Sequence, residues 1–158
     1  FCTGDIGVFD QDGFLKITDR KKDLIVNSAG KNIAPQNIEN TIKTSNYISN
    51  IVVIGDKRKY LSALVTLDNI EIQKYINEHN LNIDSFDFVK NPKIISLIDE
   101  EIKMKIADFA DYEQIRKFTI LENDFTIESG ELTPTLKVKR KFVEQKYKSL
   151  IDAMYPPD

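Results

Sequence analysis

The sequence predicts an α+β fold in which a short mixed or antiparallel sheet is flanked by helices and preceded by a β-hairpin. The chain has 158 residues, 41% of them hydrophobic, which is enough for one compact core. Two apolar runs, residues 51–54 and 61–67, are bounded by turn residues and predict buried strands. Isoleucines recur at helical spacing through residues 93–110, which predicts an amphipathic helix.

The N-terminal quarter predicts a hairpin, a charged link and a short strand. Residues 6–10 and 14–18 flank the turn sequence Gln11-Asp12-Gly13, whose Asp-Gly pair suits a β-hairpin. Five consecutive charged residues, 19–23, indicate an exposed link between structural units. A strand at 24–26 and a turn at 27–30 then precede a helix that begins at Pro35 and runs to about residue 43.

The rest of the chain alternates helices with one more strand. Helices are expected at about 70–79 and, after the cap-like Asn91-Pro92 pair, at 93–110. Residues 118–121 predict a strand, 123–135 a polar loop, and 137–153 a closing helix. The side chains expected to face the core from the last two helices are Ile94, Ile98, Ile102, Ile106, Phe109, Val143, Tyr147, Leu150 and Met154.

Composition excludes several classes of protein. With 22 basic and 25 acidic residues the chain carries a net charge of −3, which disfavours general nucleic-acid binding. One cysteine, Cys2, and one histidine, His79, disfavour an internal disulfide, a zinc site and a Ser/His/Asp triad. No run of 18 apolar residues occurs, so neither a spanning helix nor a secretory signal is expected.

The charge is unevenly distributed along the chain. Residues 137–148 contain six cationic side chains and one acid, Glu144, so this stretch is a local cationic element on an acidic protein. A solvated helix face would explain such a run equally well. Other features are therefore needed to assign it a function.

Three segments contain polar, charged and glycine residues in patterns that packing alone does not require. The first is Thr3-Gly4-Asp5, a common turn triplet that carries little information alone. The second runs from the charged stretch 19–25 through residues 28–33 to Pro35. The third is residues 130–140, in which Lys137 follows a turn rich in Gly, Pro and Thr.

The sequences Asp-Arg-Lys-Lys-Asp-Leu-Ile at 19–25 and Leu-Thr-Pro-Thr-Leu-Lys at 132–137 resemble the C-terminal part of the adenylate-forming superfamily. They look most like its long-chain fatty acyl-CoA synthetases. The resemblance implies a large N-terminal domain that binds ATP and the fatty acid, and a small C-terminal lid that closes over it. Residues 1–21 would end the large domain and lead to the hinge, and residues 22–158 would form the lid. We therefore expect a fragment that is inactive alone.

The resemblance also implies roles at the N-terminal end. Asp5 matches the carboxylate that accepts hydrogen bonds from the ribose hydroxyls of the adenylate, as suits two adjacent donors. Arg20 matches the arginine that contacts ribose or phosphate. Lys22 occupies the hinge position, where many relatives have Asp.

Two further roles follow from the resemblance. Lys137 matches the lysine that the lid delivers to the first half-reaction, although many superfamily members place Ser-Gly before it and this chain has Thr135-Leu136. Residues Ser28, Ala29 and Gly30 match the loop that lies along the pantetheine arm of CoA in the second half-reaction. ATP, CoA as substrate, and a Mg²⁺ ion bound mainly by the N-terminal domain are the implied ligands.

The implied partners are the protein's own N-terminal domain, the fatty acid, ATP and CoA, with no nucleic acid. We expect a cytoplasmic protein, and peripheral membrane association of the parent enzyme stays open. Two alternatives also stay open from the sequence. One is a non-catalytic α+β binding module with a basic C-terminal helix, and the other is an adenylate-forming ligase for another carboxylic acid.

Overall fold

The computed structural model describes residues 5–9, 11–13, 15–20, 23–84 and 87–157. It begins with the predicted hairpin, in which β1 (Asp5–Phe9) and β2 (Leu15–Arg20) pair antiparallel. The turn between the strands contains Gly13 at φ +85°, a conformation that glycine adopts without strain. The predicted hairpin is confirmed, with strand boundaries shifted by one or two residues.

A second antiparallel ribbon follows, formed by β3 (Ile25–Val26) and β4 (Asn32–Ile33). Helix α1 (Pro35–Ile42) comes next, with Pro35 at its first turn as predicted. A proline suits this position because its missing N–H would have no partner within the helix. The ribbon brings the residues of the predicted turn 27–30 to the tip of a tight loop.

The central sheet is mixed and has the order β5-β6-β7. Strand β5 (Ile48–Ile54) pairs antiparallel with β6 (Leu61–Leu67), and β6 pairs parallel with β7 (Ile115–Ile120). All seven residues of β6 are buried, as expected for a strand covered on both faces. The predicted strands 51–54 and 118–121 are present, but each begins three residues earlier than expected.

The two faces of the sheet carry separate cores. Alternate β5 and β6 residues, among them Val53 and Val65, face helices α1, α2 (Asn69–Glu78) and α3 (Pro92–Lys105). Their neighbours, among them Val52 and Leu64, face the C-terminal segment. The predicted stripe of α3 is confirmed: Ile94, Ile98, Ile102 and Ile106 are at most 2% exposed, and Phe109 packs against them half-buried.

Helix α3 ends at Lys105, five residues before the predicted end. The Gln114 side chain explains the stop, since its Nε2 donates to the carbonyl oxygens of Ile106 at 2.8 Å and Phe109 at 3.1 Å. In a longer helix, backbone N–H groups of the next turn would donate to such carbonyls. Here the Gln114 side chain donates to them instead. Sequence periodicity could not show this, because Ile106 and Phe109 stay in the core without being helical.

The predicted closing helix 137–153 is wrong in two respects. The segment is two helices, α4 (Arg140–Lys146) and α5 (Lys148–Ala153), and residues 137–139 precede them in a loop. Tyr147 separates the helices, and its hydroxyl donates to the buried carboxylate of Glu131 at 2.9 Å. Ile151 at 4% exposure takes the inward place predicted for Leu150, which is 39% exposed, because its spacing of four from Tyr147 keeps it on the same helical face.

The stripe of α3 yields a matched stability test. Ile98 is fully buried and Ile95, on the same helix, is 39% exposed. Ile98→Ala should reduce the free energy of unfolding by about 2–5 kcal/mol, because it removes buried methyl groups and leaves a cavity. Ile95→Ala should cost about 1 kcal/mol or less. Urea unfolding followed by circular dichroism measures both, and equal losses would contradict the assigned helix faces.

Candidate functional site

Lys137 lies at the end of a tight turn, residues Thr133–Lys137, which we call the lysine turn. The Thr133 amide donates to the Lys137 carbonyl at 2.8 Å, and the Lys137 amide donates to Thr133 Oγ1 at 3.1 Å. Leu136 adopts φ +63°, a left-handed conformation that costs a non-glycine residue about 1–2 kcal/mol. A bridge between Leu132 and Val138 closes the base of the turn and leaves Lys137 exposed.

Glu131, two residues before the lysine turn, is a buried anchor for the segment that contains the turn. This side chain is 2% exposed, and its carboxylate accepts hydrogen bonds from Lys146 Nζ at 2.7 Å, from the Tyr147 hydroxyl at 2.9 Å and from the Ser129 hydroxyl. Burial alone would raise the pKa of Glu131, but these donors outweigh it and lower the pKa to about 2. The backbone contributes as well, because the Lys139 amide donates to the Glu131 carbonyl at 2.7 Å.

A second anchor follows the turn at Arg140, the first residue of α4. Its guanidinium binds the Glu39 carboxylate of α1 through two contacts of 2.8 and 2.9 Å, and it also donates to the Val53 carbonyl at 3.1 Å. The two side chains are 19% and 12% exposed. Burial would lower the pKa of Arg140, but Glu39 raises it, so the guanidinium is firmly charged. The lysine turn is therefore fixed to both α1 and the sheet.

Lys137 opens onto a groove of about 620 Å³ between α1 and the start of α4. Five cationic and two acidic residues line it, and they are Lys43, Lys137, Lys139, Arg140, Lys141, Asp23 and Glu39. The predicted cationic element is thus divided. Arg140 and Lys146 form ion pairs with Glu39 and Glu131, whereas Lys137, Lys139 and Lys141 are exposed side chains of this groove. Such a surface attracts polyanions.

The loop Asn27–Lys31, which we call the glycine loop, is organised by a different side chain. Asn27 is 8% exposed, and its Oδ1 accepts from the amides of Ala29 at 3.0 Å and Lys31 at 2.9 Å. The Gly30 amide donates to the Asn27 carbonyl, and the Ser28 amide donates to the Arg58 carbonyl. The amides of Ser28, Ala29, Gly30 and Lys31 therefore all have acceptors, three of them on Asn27 and one on Arg58, and residues Ser28, Ala29 and Gly30 are exposed.

Gly30 adopts φ +80°, and a Cβ placed on it would meet no atom within 4 Å. A left-handed turn explains the glycine by itself. The open space above it also leaves room for a ligand to approach the backbone. None of Ser28, Ala29 and Gly30 lines the groove of Lys137, so these two predicted sites are separate surfaces of the domain.

The other predicted residues lie towards the N-terminus. Asp5 and Arg20 are direct Cα partners across β1 and β2, so the hairpin brings the two proposed nucleotide contacts together at one end. Lys22, the proposed hinge, lies outside the described residues. Its neighbour Asp23 is described and lines the groove of Lys137.

The described residues offer no cluster of three or more His, Cys, Asp or Glu side chains that could hold a metal ion. The Mg²⁺ expected from the resemblance therefore has no ligand set in this part of the chain. Among the described helices, none is both long and apolar enough to cross a bilayer.

Sequence reasoning missed three of the residues that build these sites. Glu131 and Asn27 are buried polar residues within loops that look solvated, and nothing in their spacing marks them as buried. The partner of Arg140, Glu39, is 101 positions away in sequence, so the charge run alone could not identify it.

A family model described as the AMP-binding enzyme C-terminal domain matches residues 22–157. The chain belongs to this family. A long-chain-fatty-acid–CoA ligase of Mycobacterium tuberculosis, FadD15, is 44% identical over 157 residues, which are 98% of this chain and 26% of the relative. The human long-chain-fatty-acid–CoA ligase ACSBG1 is 38% identical, and the match covers 97% of this chain and 24% of the relative. The predicted resemblance is confirmed, and this AMP-binding C-terminal domain spans about a quarter of the length of these relatives.

Solved structures share the fold of this AMP-binding C-terminal domain. The adenylation domain of a carboxylate reductase from Mycobacterium chelonae superposes with a TM-score of 0.80 at 25% identity, covering 98% of this chain and 23% of that one. A Mycobacterium tuberculosis fatty acyl CoA synthetase matches with a TM-score of 0.57 at 24% identity, covering 95% and 24%. The predicted α+β fold class is thereby confirmed.

The low pKa of Glu131 predicts acid sensitivity. A carboxylate whose pKa falls from 4.5 to about 2 on folding stabilises the fold fully above pH 4.5 and loses this contribution as pH falls towards 2. The loss should reach about 3 kcal/mol. Thermal unfolding at pH 2 to 7 tests this. Glu131→Gln should flatten the dependence, whereas the exposed neighbour Glu128→Gln should not, and identical curves for the two variants would contradict the assignment.

Proposed function

We propose that this domain is the lid of an AMP-forming long-chain fatty acid–CoA ligase, which converts ATP, a fatty acid and CoA into acyl-CoA, AMP and pyrophosphate. The observation that carries the proposal is an exposed lysine, Lys137, at the end of a doubly anchored turn in a cationic groove. The identity to FadD15 over nearly the whole chain supports the choice of a long-chain acid. Alone, the domain is expected to be inactive.

In the first half-reaction a fatty carboxylate oxygen attacks the α-phosphorus of ATP. The new P–O bond forms as the bond to the β-phosphate oxygen breaks, and pyrophosphate leaves. Negative charge moves from the carboxylate to the leaving group, so a positioned ammonium stabilises the transition state more than the ground state. Lys137 has three donors for the carboxylate, the α-phosphate and a ribose-side oxygen.

Asp5 and Arg20 complete the nucleotide contacts in this proposal, as carboxylate to the ribose hydroxyls and guanidinium to ribose or phosphate. Their pairing across β1 and β2 is compatible with one shared ligand. Lys22 serves as the hinge about which the lid turns between half-reactions, a role for which its backbone torsions matter more than its charge. The large N-terminal domain supplies the acid pocket and the Mg²⁺ ligands.

Lys137→Ala in the full-length enzyme should reduce acyl-adenylate formation by at least about 10²–10³-fold, the usual effect of removing one positioned donor. Thioester formation from supplied acyl-adenylate should persist. Pyrophosphate release measures the first step and acyl-CoA formation the second. Lys139→Ala is the matched control, because Lys139 is exposed in the same groove and should lose less than about tenfold. Equal loss of both half-reactions in Lys137→Ala would refute the assignment.

In the second half-reaction the CoA sulfur attacks the acyl carbonyl carbon and its thiol proton is released to solvent. A C–S bond forms as the bond to the phosphate oxygen of AMP breaks, and AMP leaves. We propose that the glycine loop lies along the pantetheine arm at this stage. Its exposed outer surface, together with the open space above Gly30, supports this role. A thin chain can approach a bare backbone closely, whereas a larger side chain at this position would occupy the path.

Gly30→Leu should slow thioester formation at least about tenfold while leaving adenylation within about twofold of wild type. Gly30→Asn separates obstruction from strain, since asparagine tolerates the left-handed conformation and is smaller than leucine. The asparagine variant should retain more thioester formation than the leucine variant. Both variants slowed only in adenylation would contradict the proposed role.

The proposal includes a cytoplasmic location, where ATP and CoA are available, with peripheral membrane contact as the route by which fatty acids arrive. The partners are the enzyme's own N-terminal domain and the three substrates. A fluorescent fusion of the full-length protein, followed by fractionation of the membranes, tests the location independently of the chemistry.

A further inference from the structure

Leu136 combines a strained backbone with an exposed side chain. Among the described residues, three that are not glycine have positive φ, namely Lys57, Asn80 and Leu136. Asparagine tolerates this conformation, but leucine rarely adopts it. The Leu136 side chain is nevertheless 66% exposed, so few contacts within the domain compensate for the strain.

The lysine turn does not need a leucine at this position. Its shape is set by the Leu136 amide, which donates to the Thr133 carbonyl at 2.8 Å, and by the two hydrogen bonds between Thr133 and Lys137. A glycine would make the same backbone hydrogen bonds without strain. Backbone strain of this kind clusters at active sites, ligand clamps and switch regions, so it points to a use for the leucine side chain beyond the turn.

The side chains around Leu136 in the groove indicate what kind of surface could pack against it. Leu136 lines the same groove as Lys137 and Phe142, and Phe142 is 40% exposed beside Gly130. Two apolar side chains therefore accompany the ammonium of Lys137. A surface that covers this part of the groove would bury both apolar side chains beside a cation.

The connection of the polypeptide indicates which surface packs against Leu136. Asp23, next to the proposed hinge, lines the same groove, so the preceding part of the polypeptide is covalently attached at this groove. The domain corresponds to 26% of FadD15, which leaves most of such a protein to lie beyond this hinge. The large N-terminal domain is thus tethered beside Leu136 and is the partner with the highest effective concentration there.

We propose that Leu136 is a positioning residue for adenylation: its side chain packs against the large N-terminal domain when the lid closes for the first half-reaction, and this contact fixes the adjacent Lys137. The inference rests on the proposed function. An apolar contact one residue from the ammonium excludes water and limits the movement of the lysine, and both effects strengthen its interaction with the reacting phosphate.

Three substitutions in the full-length enzyme separate side-chain contact from backbone strain. Leu136→Gly removes both the side chain and the strain. Leu136→Asn keeps some bulk, tolerates the left-handed backbone and is polar. Leu136→Met keeps the apolar bulk and the strain. Pyrophosphate release from ATP and fatty acid measures adenylation, and acyl-CoA formation from supplied acyl-adenylate measures the second step.

The glycine and asparagine variants should lose about tenfold or more in kcat/KM for adenylation, the effect of removing one apolar anchor from an interface. Thioester formation should stay within about twofold of wild type. The glycine variant should unfold at the same temperature as wild type or higher, so activity falls without loss of stability. Leu136→Met should retain adenylation within about threefold.

Several results would overturn the inference. Adenylation by the glycine variant at the wild-type rate would show that the side chain has no role. Equal loss in the glycine and methionine variants, or equal loss in both half-reactions, would point to a disturbed turn. If Lys137→Ala also leaves adenylation intact, the proposed function fails and this inference fails with it. If Lys137→Ala abolishes adenylation and Leu136→Gly does not, only this inference fails.

Discussion

The buried carboxylate of Glu131 holds together the segment that contains the lysine turn, because it accepts hydrogen bonds from side chains on both sides of that turn. Lys146 and Tyr147 donate to it from the junction of α4 and α5, and Ser129 donates from the preceding turn. Burying this carboxylate without hydrogen-bond partners would reduce the stability of the fold, so its donors are needed for the carboxylate to remain buried and charged. The turn that carries Lys137 is thus flanked on both sides by residues bound to one buried carboxylate.

The elements that depend on local pattern were predictable, and those that depend on a distant partner were not. The α3 stripe, the strand β6 and the first hairpin follow from spacing and turn chemistry, and the structure confirms them. At Tyr147, which separates α4 from α5, the hydroxyl donates to Glu131, 16 positions away, and beyond the end of α3 the Gln114 side chain donates to the Ile106 carbonyl. Helical periodicity alone shows neither of these side-chain hydrogen bonds. The roles of the site residues named from the sequence stay predictions, and the anchors Glu131, Glu39 and Asn27 were missed because buried and solvated polar residues look alike in a sequence.

The two candidate surfaces are built by the same device. In the glycine loop the Asn27 side chain accepts amide hydrogen bonds, and in the lysine turn the Thr133 side chain does so. Such bonds satisfy the backbone from within and leave the outer surface free for other contacts. Each turn also contains one left-handed residue, but Gly30 presents open space and Leu136 presents a side chain. Both turns thus need a residue with positive φ. Glycine takes this position in the glycine loop and leaves the surface free of a side chain, whereas leucine takes it in the lysine turn and places a side chain there.

This difference between the two turns is informative because glycine could adopt the positive φ of either turn without strain. In the proposed function a ligand passes close to the main chain at Gly30, where an added side chain would be an obstacle. Where a surface must be held at a fixed distance, the side chain has a use that glycine cannot supply, and the strain persists because the turn is fixed by Glu131 below it and Arg140 beside it. The anchors that hold Lys137 in place are therefore the same interactions that allow the residue beside it to remain strained.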